Sequence, residues 1–299
     1  MQFGVLGSLE VTNEGGALVD LGGAQPRTLV AMLLVAQGRV VAVDTLLDGI
    51  WPDRQPTSAL GTLQSYVSRV RRAFDPERTG AGAKVLVLEP VACRLDIDPS
   101  DVDSWRFEQL AAEGQQLLQR GEAAAAHAVL AEALSLWRGP ALVEFADHEF
   151  ARGPATRLEE RRLVAIEDRI QADLALGRHA SVIGELSQLV EEYPWREALW
   201  GHLAIALYRA GRQADALRAI TDMRTTLREE LGVEPSRPIR DLEAAILPRP
   251  LARAGAHGAG PDLDGGHGRA SGGRARPRGR ADPAGRASGR GRSARHRPR

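Results

Sequence analysis

The sequence predicts an α+β domain at the N-terminus, an all-α domain after it and a disordered segment at the C-terminus. The first prediction rests on an alternating apolar pattern followed by helical periodicity, and the second rests on a glycine-led helical repeat. The third rests on composition, because Gly, Arg, Ala and Pro make up 38 of the last 49 residues. We place the domain boundaries at residues 1–98, 99–249 and 250–299.

The first 98 residues contain strand patterns at both ends and helical patterns between them. The expected elements, in chain order, are strands at 3–11 and 17–21, helices at 26–37, 44–50 and 57–74, and a hairpin at 85–88 and 94–97. Gly7 interrupts the first strand, and Asp44 is placed to cap the second helix. Strands, three helices and a closing hairpin in this order are the parts of a winged helix.

The second domain shows a repeating helical pattern that begins at Gly121, Gly177 and Gly211. The last two glycines are 34 residues apart, which is the period of tetratricopeptide repeats. Small or apolar side chains five, nine and twelve residues after each glycine allow paired helices to pack closely. These residues are Ala126, Leu130, Ala133, Val182, Leu186, Leu189, Ala216, Ile220 and Met223.

The third helix of the first domain carries the clearest sign of function. Its expected buried stripe consists of Leu60, Leu63, Val67, Val70 and Phe74, at spacings of three and four. The opposite side consists of Thr62, Ser65, Arg69 and Arg72, flanked by Ser68 and Arg71. This helix has three Arg and no acidic residue, although residues 1–98 hold 9 basic and 11 acidic side chains.

Two interpretations of the basic helix are open: a DNA-contacting helix, or a solvated amphipathic helix whose arginines complement its own dipole. Its position in the winged-helix order favours DNA contact, because hydroxyl groups beside Arg can reach phosphates and base edges. Three or four phosphate contacts give weak binding at physiological salt. We therefore expect two copies, as a homodimer on DNA, to bind repeated half-sites.

Several stretches, read together, resemble the SARP family of activators of secondary-metabolite gene clusters. They are MQFGVLGSLEV, GGAQPRTLVAMLL, VDTLLDGIWPD, LQSYVSRVRRAF, VDSWRFEQL, ALSLWRGPAL and ALYRAGRQADALRAITDMRTTLREELGVEPSRPIRDLEAAIL. The resemblance covers nearly all of residues 1–247. It implies a winged-helix domain like that of response regulators, followed by a bacterial transcriptional activator domain with tetratricopeptide-like packing. It also implies binding to direct repeats in promoters of antibiotic clusters and contact with RNA polymerase holoenzyme.

The resemblance also implies a set of DNA-binding residues. They are Thr62, Ser65, Tyr66, Ser68, Arg69, Arg71, Arg72 and Arg94. Arg69 is expected at a base edge or deep in the groove, and Arg71 and Arg72 at phosphates. Tyr66 either stacks on a sugar or shields the edge of the core.

The hairpin that would form the wing departs from the family pattern. Ala92-Cys93 precedes Arg94, at the place where the family usually has Gly-Tyr. Glycine permits a turn with positive φ that alanine resists. The role of Arg94, as a minor-groove or phosphate contact, therefore depends on how this hairpin folds.

Enzymatic interpretations lack a complete motif, and no cofactor or metal is expected. His148-Glu149 begins like a zinc-protease motif, but Arg152 stands where the second His is required. Cys93 is expected to be a packed or half-exposed strand residue rather than a nucleophile, and Asp101 and Asp103 are expected to cap the start of a helix. No G-x-x-x-x-G-K-[ST] loop occurs. No apolar run approaches the roughly 18 residues that span a bilayer, so a cytoplasmic protein without membrane contact is expected.

The alternative function is a tetratricopeptide-like protein-interaction scaffold with weak or no DNA binding. Trp137, Trp195 and Trp200 are expected either to fill the core at helix joints or to line a groove for a partner or small ligand. The formal net charge of zero hides a difference along the chain, because residues 251–299 contain 12 Arg and 3 Asp. That segment fits either a polyanion-binding arm or a tail without a structural role.

Overall fold

The N-terminal region contains two small antiparallel sheets and a group of helices in a computed structural model that describes residues 1–77 and 79–247. Its elements are β1 (Gln2–Gly4), β2 (Glu10–Thr12), α1 (Ala24–Val35), β3 (Val41–Ala42), α2 (Val43–Ile50), α3 (Ala59–Phe74), α4 (Ala81–Val85), β4 (Leu86–Leu88) and β5 (Ala92–Leu95). One sheet pairs β1 with β2, and the other has the strand order β3-β5-β4. This order of parts is consistent with a winged helix.

The first expected strand is in fact a pair of strands. Gly7 has a φ of 144° and lies where the chain reverses between β1 and β2, so that Phe3 pairs with Val11. The second expected strand, at 17–21, is wrong. Only a single bridge joins Leu18 to Thr12, made by hydrogen bonds from the Asn13 N–H group to Ala17 and from the Val19 N–H group to Val11, and β2 ends at Thr12, where the turn of Asn13 begins.

The expected capping role of Asp44 is also wrong. Ala42 precedes the first helical residue, and Asp44 lies inside the first turn of α2. The helix begins earlier than expected because β3 pairs with β5 and passes directly into α2. Asp44 still complements the positive end of the helix dipole from its place in the first turn.

The C-terminal region is built from helical hairpins. Its helices are α5 (Asp103–Gln119), α6 (Ala123–Ser135), α7 (Glu149–Ala175), α8 (His179–Glu192), α9 (Glu197–Arg209), α10 (Gln213–Thr226) and α11 (Arg237–Ile246). A 3₁₀ turn (Pro99–Asp101) precedes α5, a second one (Val143–Phe145) precedes α7, and a π-helical turn (Leu227–Leu231) follows α10.

The glycine-led repeat corresponds to the turns of three of these hairpins. Gly121, Gly177 and Gly211 have φ values of 78°, 78° and 80°, and each lies between two paired helices. All nine residues at the predicted offsets are buried. The described part of the chain is thus mostly helical, with a small β region at its N-terminus, and the hairpins are consistent with a tetratricopeptide-like arrangement.

The two regions share one hydrophobic core across the expected boundary at residue 98. Val102, Trp105 and Phe145 pack in the same cluster as the side chains of α1, α2 and α3. Conversely, Leu6 packs among residues of α5, α6 and α7. The division into residues 1–98 and 99–249 stays a prediction about domain organisation, and the segment 250–299 lies outside the described residues.

A half-buried carboxylate connects the first hairpin to the helical region. The side chain of Asp103 accepts hydrogen bonds from the backbone N–H groups of Val5 and Leu6, at 2.8 and 3.1 Å, and from Arg138 at 2.9 Å. Arg138 also pairs with Glu10 on β2. The sequence predicted that Asp103 caps the start of α5, and this prediction is wrong, because Val102 holds the capping position and Asp103 lies in the first turn. The donors that Asp103 binds come from the turn after β1 and from the segment after α6, which local sequence cannot bring together.

A buried carboxylate joins two helices to the turn that follows them. Asp173 on α7 is 4% exposed and accepts hydrogen bonds from Arg169 and Arg178, at 3.2 and 3.0 Å. Nδ1 of His127 on α6 lies 3.0 Å from the same carboxylate. The cluster links α6 and α7 to the turn that leads into α8.

We expect Asp173→Ala to lower the free energy of unfolding by about 2–3 kcal/mol, because it removes the buried carboxylate that the half-buried Arg169 and the exposed Arg178 bind. The loss is below the usual range for a fully buried pair, since Arg178 is half exposed. Urea denaturation monitored by circular dichroism measures it. Asp222→Ala, at an exposed position on α10, is the control and should change the value by less than about 0.5 kcal/mol. Equal effects of the two substitutions would contradict the proposed role of the cluster.

The contact made by Asp103 should depend on pH. Burial raises the pKa of Asp103, against the opposing effects of the Val5 and Leu6 N–H groups and Arg138. A carboxyl group whose folded-state pKa is raised contributes stability below its unfolded pKa, about 3.9, and loses it as pH rises through the folded value. The free energy of unfolding of the wild type minus that of Asp103→Asn should therefore decrease from acidic to neutral pH. A difference that stays constant across this range would refute the prediction.

Candidate nucleic-acid interface

The inner side of α3 attaches this helix to the core of the N-terminal region. Leu63, Val67, Val70 and Phe74 are buried as predicted, and Phe74 meets Phe3 edge to face. Leu60 is 47% exposed, so its expected place in the buried stripe is wrong. The inner position in the first turn belongs to Ala59, and neighbouring residues on a helix point about 100° apart.

The outer side of α3 displays hydroxyl and guanidinium groups. Ser65, Ser68, Arg69 and Arg72 are exposed, and Thr62 is half-buried. The hydroxyls of Thr62 and Ser65 donate to backbone carbonyls one turn earlier, at 3.0 Å, which leaves their oxygens able to accept further hydrogen bonds. The helix carries no acidic side chain, so this surface is electropositive.

Arg69 lies against the loop that precedes α1. A Cβ atom built on Gly22 would lie 3.1 Å from Cδ of Arg69, and Gly22 has a φ of 91°. The side chain of Asp20 accepts a hydrogen bond from the Gly22 N–H group at 2.8 Å and stabilises this loop. The loop thus supports the aliphatic part of Arg69 while the residue as a whole stays exposed.

Arg71 has a different environment from Arg69 and Arg72. Its Nε donates to the backbone carbonyl of Leu86 on β4 at 2.9 Å, and the side chain is half-buried. This contact joins the end of α3 to the sheet. Arg72, one residue further on, is exposed and forms no ion pair with any residue in the described part of the chain.

Tyr66 packs at the edge of the core. Its ring stacks on Trp51, with centroids 5.8 Å apart and an interplanar angle of 29°, and both residues are half-buried. Of the two roles left open by the sequence, this geometry favours shielding of the core edge.

The wing hairpin forms without a glycine. Its turn comprises residues 89–91, and Val91 at the tip is 75% exposed. Ala92 begins β5 in extended conformation, and the described non-glycine residues with positive φ are Gln37 and Leu142. Arg94 on β5 is paired with Asp96 at 3.2 Å, so part of its charge is compensated within the hairpin.

Sequence reasoning did not single out two further basic residues near α3. Arg54 lies in the loop before α3, and Lys84 lies on α4 before the wing. Both are exposed, and neither makes an ion pair with a residue at 1–77 or 79–247. Their position on either side of the basic helix in the sequence is the signal that could have identified them.

Cys93 is a packed strand residue, as predicted. It is 1% exposed, and burial raises its pKa to about 11, against a lowering effect of the Arg71 charge. A nucleophilic role requires the thiolate form, which is scarce at neutral pH when the pKa is so high.

We expect the folded chain to resist alkylation of Cys93 by iodoacetamide at pH 7.5, because the thiol is both buried and protonated. Mass spectrometry should show complete labelling only after denaturation in guanidinium chloride. Fast stoichiometric labelling of the native chain would contradict the buried position of this residue.

The other sequence candidates form no catalytic centre. His148 packs against Phe145 and Phe150, and Arg152 is exposed. Within residues 1–77 and 79–247, no group of three or more His, Cys, Asp or Glu side chains is placed to hold a metal ion. In the same residues, no helix is both long and apolar enough to cross a membrane.

A small mixed α/β region that presents a basic helix, followed by helical hairpins, is the architecture of a class of bacterial transcriptional regulators. The family model of the bacterial transcriptional activator domain matches residues 102–247. Regulatory protein DnrI of Streptomyces peucetius is 41% identical over 251 residues, covering 83% of this chain and 92% of DnrI. Transcriptional regulator RedD of Streptomyces coelicolor is 38% identical and covers 83% of this chain and 70% of RedD.

A solved structure has the same fold. Mycobacterium tuberculosis EmbR, in complex with a low-affinity phosphopeptide, matches with a TM-score of 0.76 and 35% sequence identity, over 82% of this chain and 64% of EmbR. The chain belongs to the SARP family of transcriptional activators. Its relatives are named as transcriptional regulators, which indicates a regulatory and non-enzymatic role.

Proposed function

We propose that this protein is a sequence-specific DNA-binding activator of a secondary-metabolite gene cluster, acting in the cytoplasm. The observation that carries the proposal is the exposed side of α3, with its hydroxyls and arginines and no acidic residue. A helix of this kind fits the major groove of B-DNA, which admits an α-helix and displays base edges. Membership of the SARP family supports the same function.

The residues of α3 would contact different parts of the DNA. Arg69 is our candidate for a base contact, since Gly22 supports its stem and its charge has no partner among the described residues. Arg72 is the candidate for a phosphate contact, with Thr62, Ser65 and Ser68 as hydrogen-bonding neighbours. We assign Arg71 a supporting role, because its Nε is already bound to β4.

The wing would contact the DNA backbone beside the major groove. Arg94 is exposed enough to reach a phosphate, but it must share its charge with Asp96. A single copy therefore has few free cationic groups, and the electrostatic part of its affinity is small. We infer that two copies, as a homodimer on DNA, bind direct repeats, where the second copy multiplies affinity and specificity.

The helical region would recruit RNA polymerase holoenzyme. Residues 99–250 hold 18 basic and 25 acidic side chains, so this region is repelled by DNA and is free to meet a protein. Its connection to the N-terminal region through Asp103 and Arg138 would keep a bound polymerase at a defined distance from the promoter.

Gel shifts on the upstream regions of the neighbouring biosynthetic genes test the proposal. Arg69→Ala should weaken binding by about 1–3 kcal/mol and relax sequence preference, because it removes a base contact. Arg72→Ala should weaken binding to all sequences and lower the slope of log K against log salt by about 1. Arg218→Ala, an equally exposed arginine on α10, is the matched control and should leave affinity unchanged.

Two outcomes would count against the proposal. If Arg69→Ala folded normally and bound its promoter as tightly as the wild type, Arg69 of α3 would not contact the bases as proposed. If the wild type gave no shift even at low salt, the scaffold function would be favoured instead. Crosslinking on a probe with two repeats, compared with one repeat, tests the expected pair of copies.

A further inference from the structure

A groove of about 790 Å³ opens between α7 and the turn that joins α8 to α9. Its floor is apolar and includes Ala141, Ala155 and Leu163, of which Ala141 and Leu163 are buried. Pockets that bind small molecules occupy roughly 300–1,000 Å³ and are lined mainly by apolar and aromatic groups. The groove has this size and this type of floor, and α3 contributes no residue to it.

Two exposed aromatic side chains form one wall of the groove. Tyr193 is 36% exposed and Trp195 is 57% exposed, although most large aromatic side chains of the described chain are buried or half-buried. Nε1 of Trp195 donates a hydrogen bond to Glu230 at 2.6 Å, which fixes the orientation of the indole ring. The face of a fixed indole ring attracts cations.

The turn that carries these aromatic residues is held by hydrogen bonds on both sides. Trp200 donates to the carbonyl of Pro194 at 2.9 Å. Arg196 donates to Glu167 and to Glu160, each at 2.6 Å. A ligand would therefore meet a wall that is already ordered, which lowers the entropic cost of binding.

The groove is acidic. Glu159, Glu160 and Glu192 line it together with a single cation, Arg196. Arg196 pairs with Glu160 and Arg162 pairs with Glu159, whereas Glu192 is exposed and forms no ion pair with any residue that the structure describes. Burial first, and then the carboxylates of Glu192 and Glu159, raise the pKa of Tyr193 against the opposing charge of Arg162.

We propose that this acidic–aromatic groove binds a small organic cation with a flat apolar body. The body would lie on Ala155 and Leu163 beside the indole ring of Trp195, and the cationic group would lie near Glu192. The charge of Glu192, which has no ion-pair partner among the described residues, would repel an anionic ligand. The apolar floor and the aromatic wall offer few hydrogen-bonding groups to a small polar ion. The site is independent of α3, so the inference does not rest on the proposed DNA binding.

Isothermal titration calorimetry of the full chain tests this with three probes that share one ring system. They are 1-naphthylmethylammonium (a cation), 1-naphthalenemethanol (uncharged) and 1-naphthoate (an anion). We expect saturable binding of the cation, about tenfold weaker binding of the alcohol and no measurable binding of the anion.

Substitutions locate the binding. Trp195→Ala should weaken binding of the cation about tenfold through loss of the cation–π contact. Glu192→Gln keeps the shape of the side chain and should weaken it about threefold, in the range of an exposed ion pair. The matched controls are Tyr208→Ala, an exposed aromatic residue on α9, and Glu191→Gln, the neighbour of Glu192. Neither control residue lines the groove, and neither should change the affinity.

The proposal fails if the cation does not bind saturably at millimolar concentration, or if it binds no better than the anion. It also fails if Glu192→Gln has no larger effect than Glu191→Gln, a comparison that holds even if Trp195→Ala does not fold. Binding of a poly-lysine peptide in place of the small cation would assign the groove to a protein partner and overturn the small-molecule site.

Discussion

The half-buried carboxylate of Asp103 is the polar contact on which the relation between the two halves of this molecule depends. It accepts hydrogen bonds from the N–H groups of Val5 and Leu6 and from Arg138, so one side chain holds the first hairpin, α5 and the segment after α6. Burial of a charge is unfavourable unless donors surround it. The donors surround Asp103 only when the turn after β1 and that segment lie against the start of α5, so this contact and the shared hydrophobic core together position α3 relative to the helical hairpins.

The basic helix also rests on a core that both regions build. The apolar side of α3 packs in a core that also contains residues of the helical region, such as Trp105 and Phe145. Arg27 on α1 adds an ion pair with Glu144, across the same junction. A force or ligand acting on the helical region would therefore move α3 as part of one packed body.

Helical periodicity in the sequence predicted the buried residues within helices correctly. Contacts between residues that are distant in the sequence could not be predicted from it. The inner side of α3 from Leu63 to Phe74 and the buried positions after Gly121, Gly177 and Gly211 follow from helical periodicity. Leu60 fails because it lies at a helix end, where a neighbour, Ala59, takes the inward direction. The expected strand at 17–21 fails because a strand requires a partner with free backbone groups, which is not a local property.

For the candidate site, the sequence by itself determined which residues are available: one helix with hydroxyl and arginine side chains and no acid, in a chain whose relatives regulate transcription. The tertiary structure decided which of these side chains are already bound within the protein and which are available to contact DNA. Arg71 is bound to β4, Tyr66 is stacked on Trp51, and Arg94 is paired with Asp96, whereas Arg69 and Arg72 remain exposed. Helical spacing fixes the direction of a side chain from its own neighbours, but its contacts depend on residues that only folding brings within hydrogen-bonding distance.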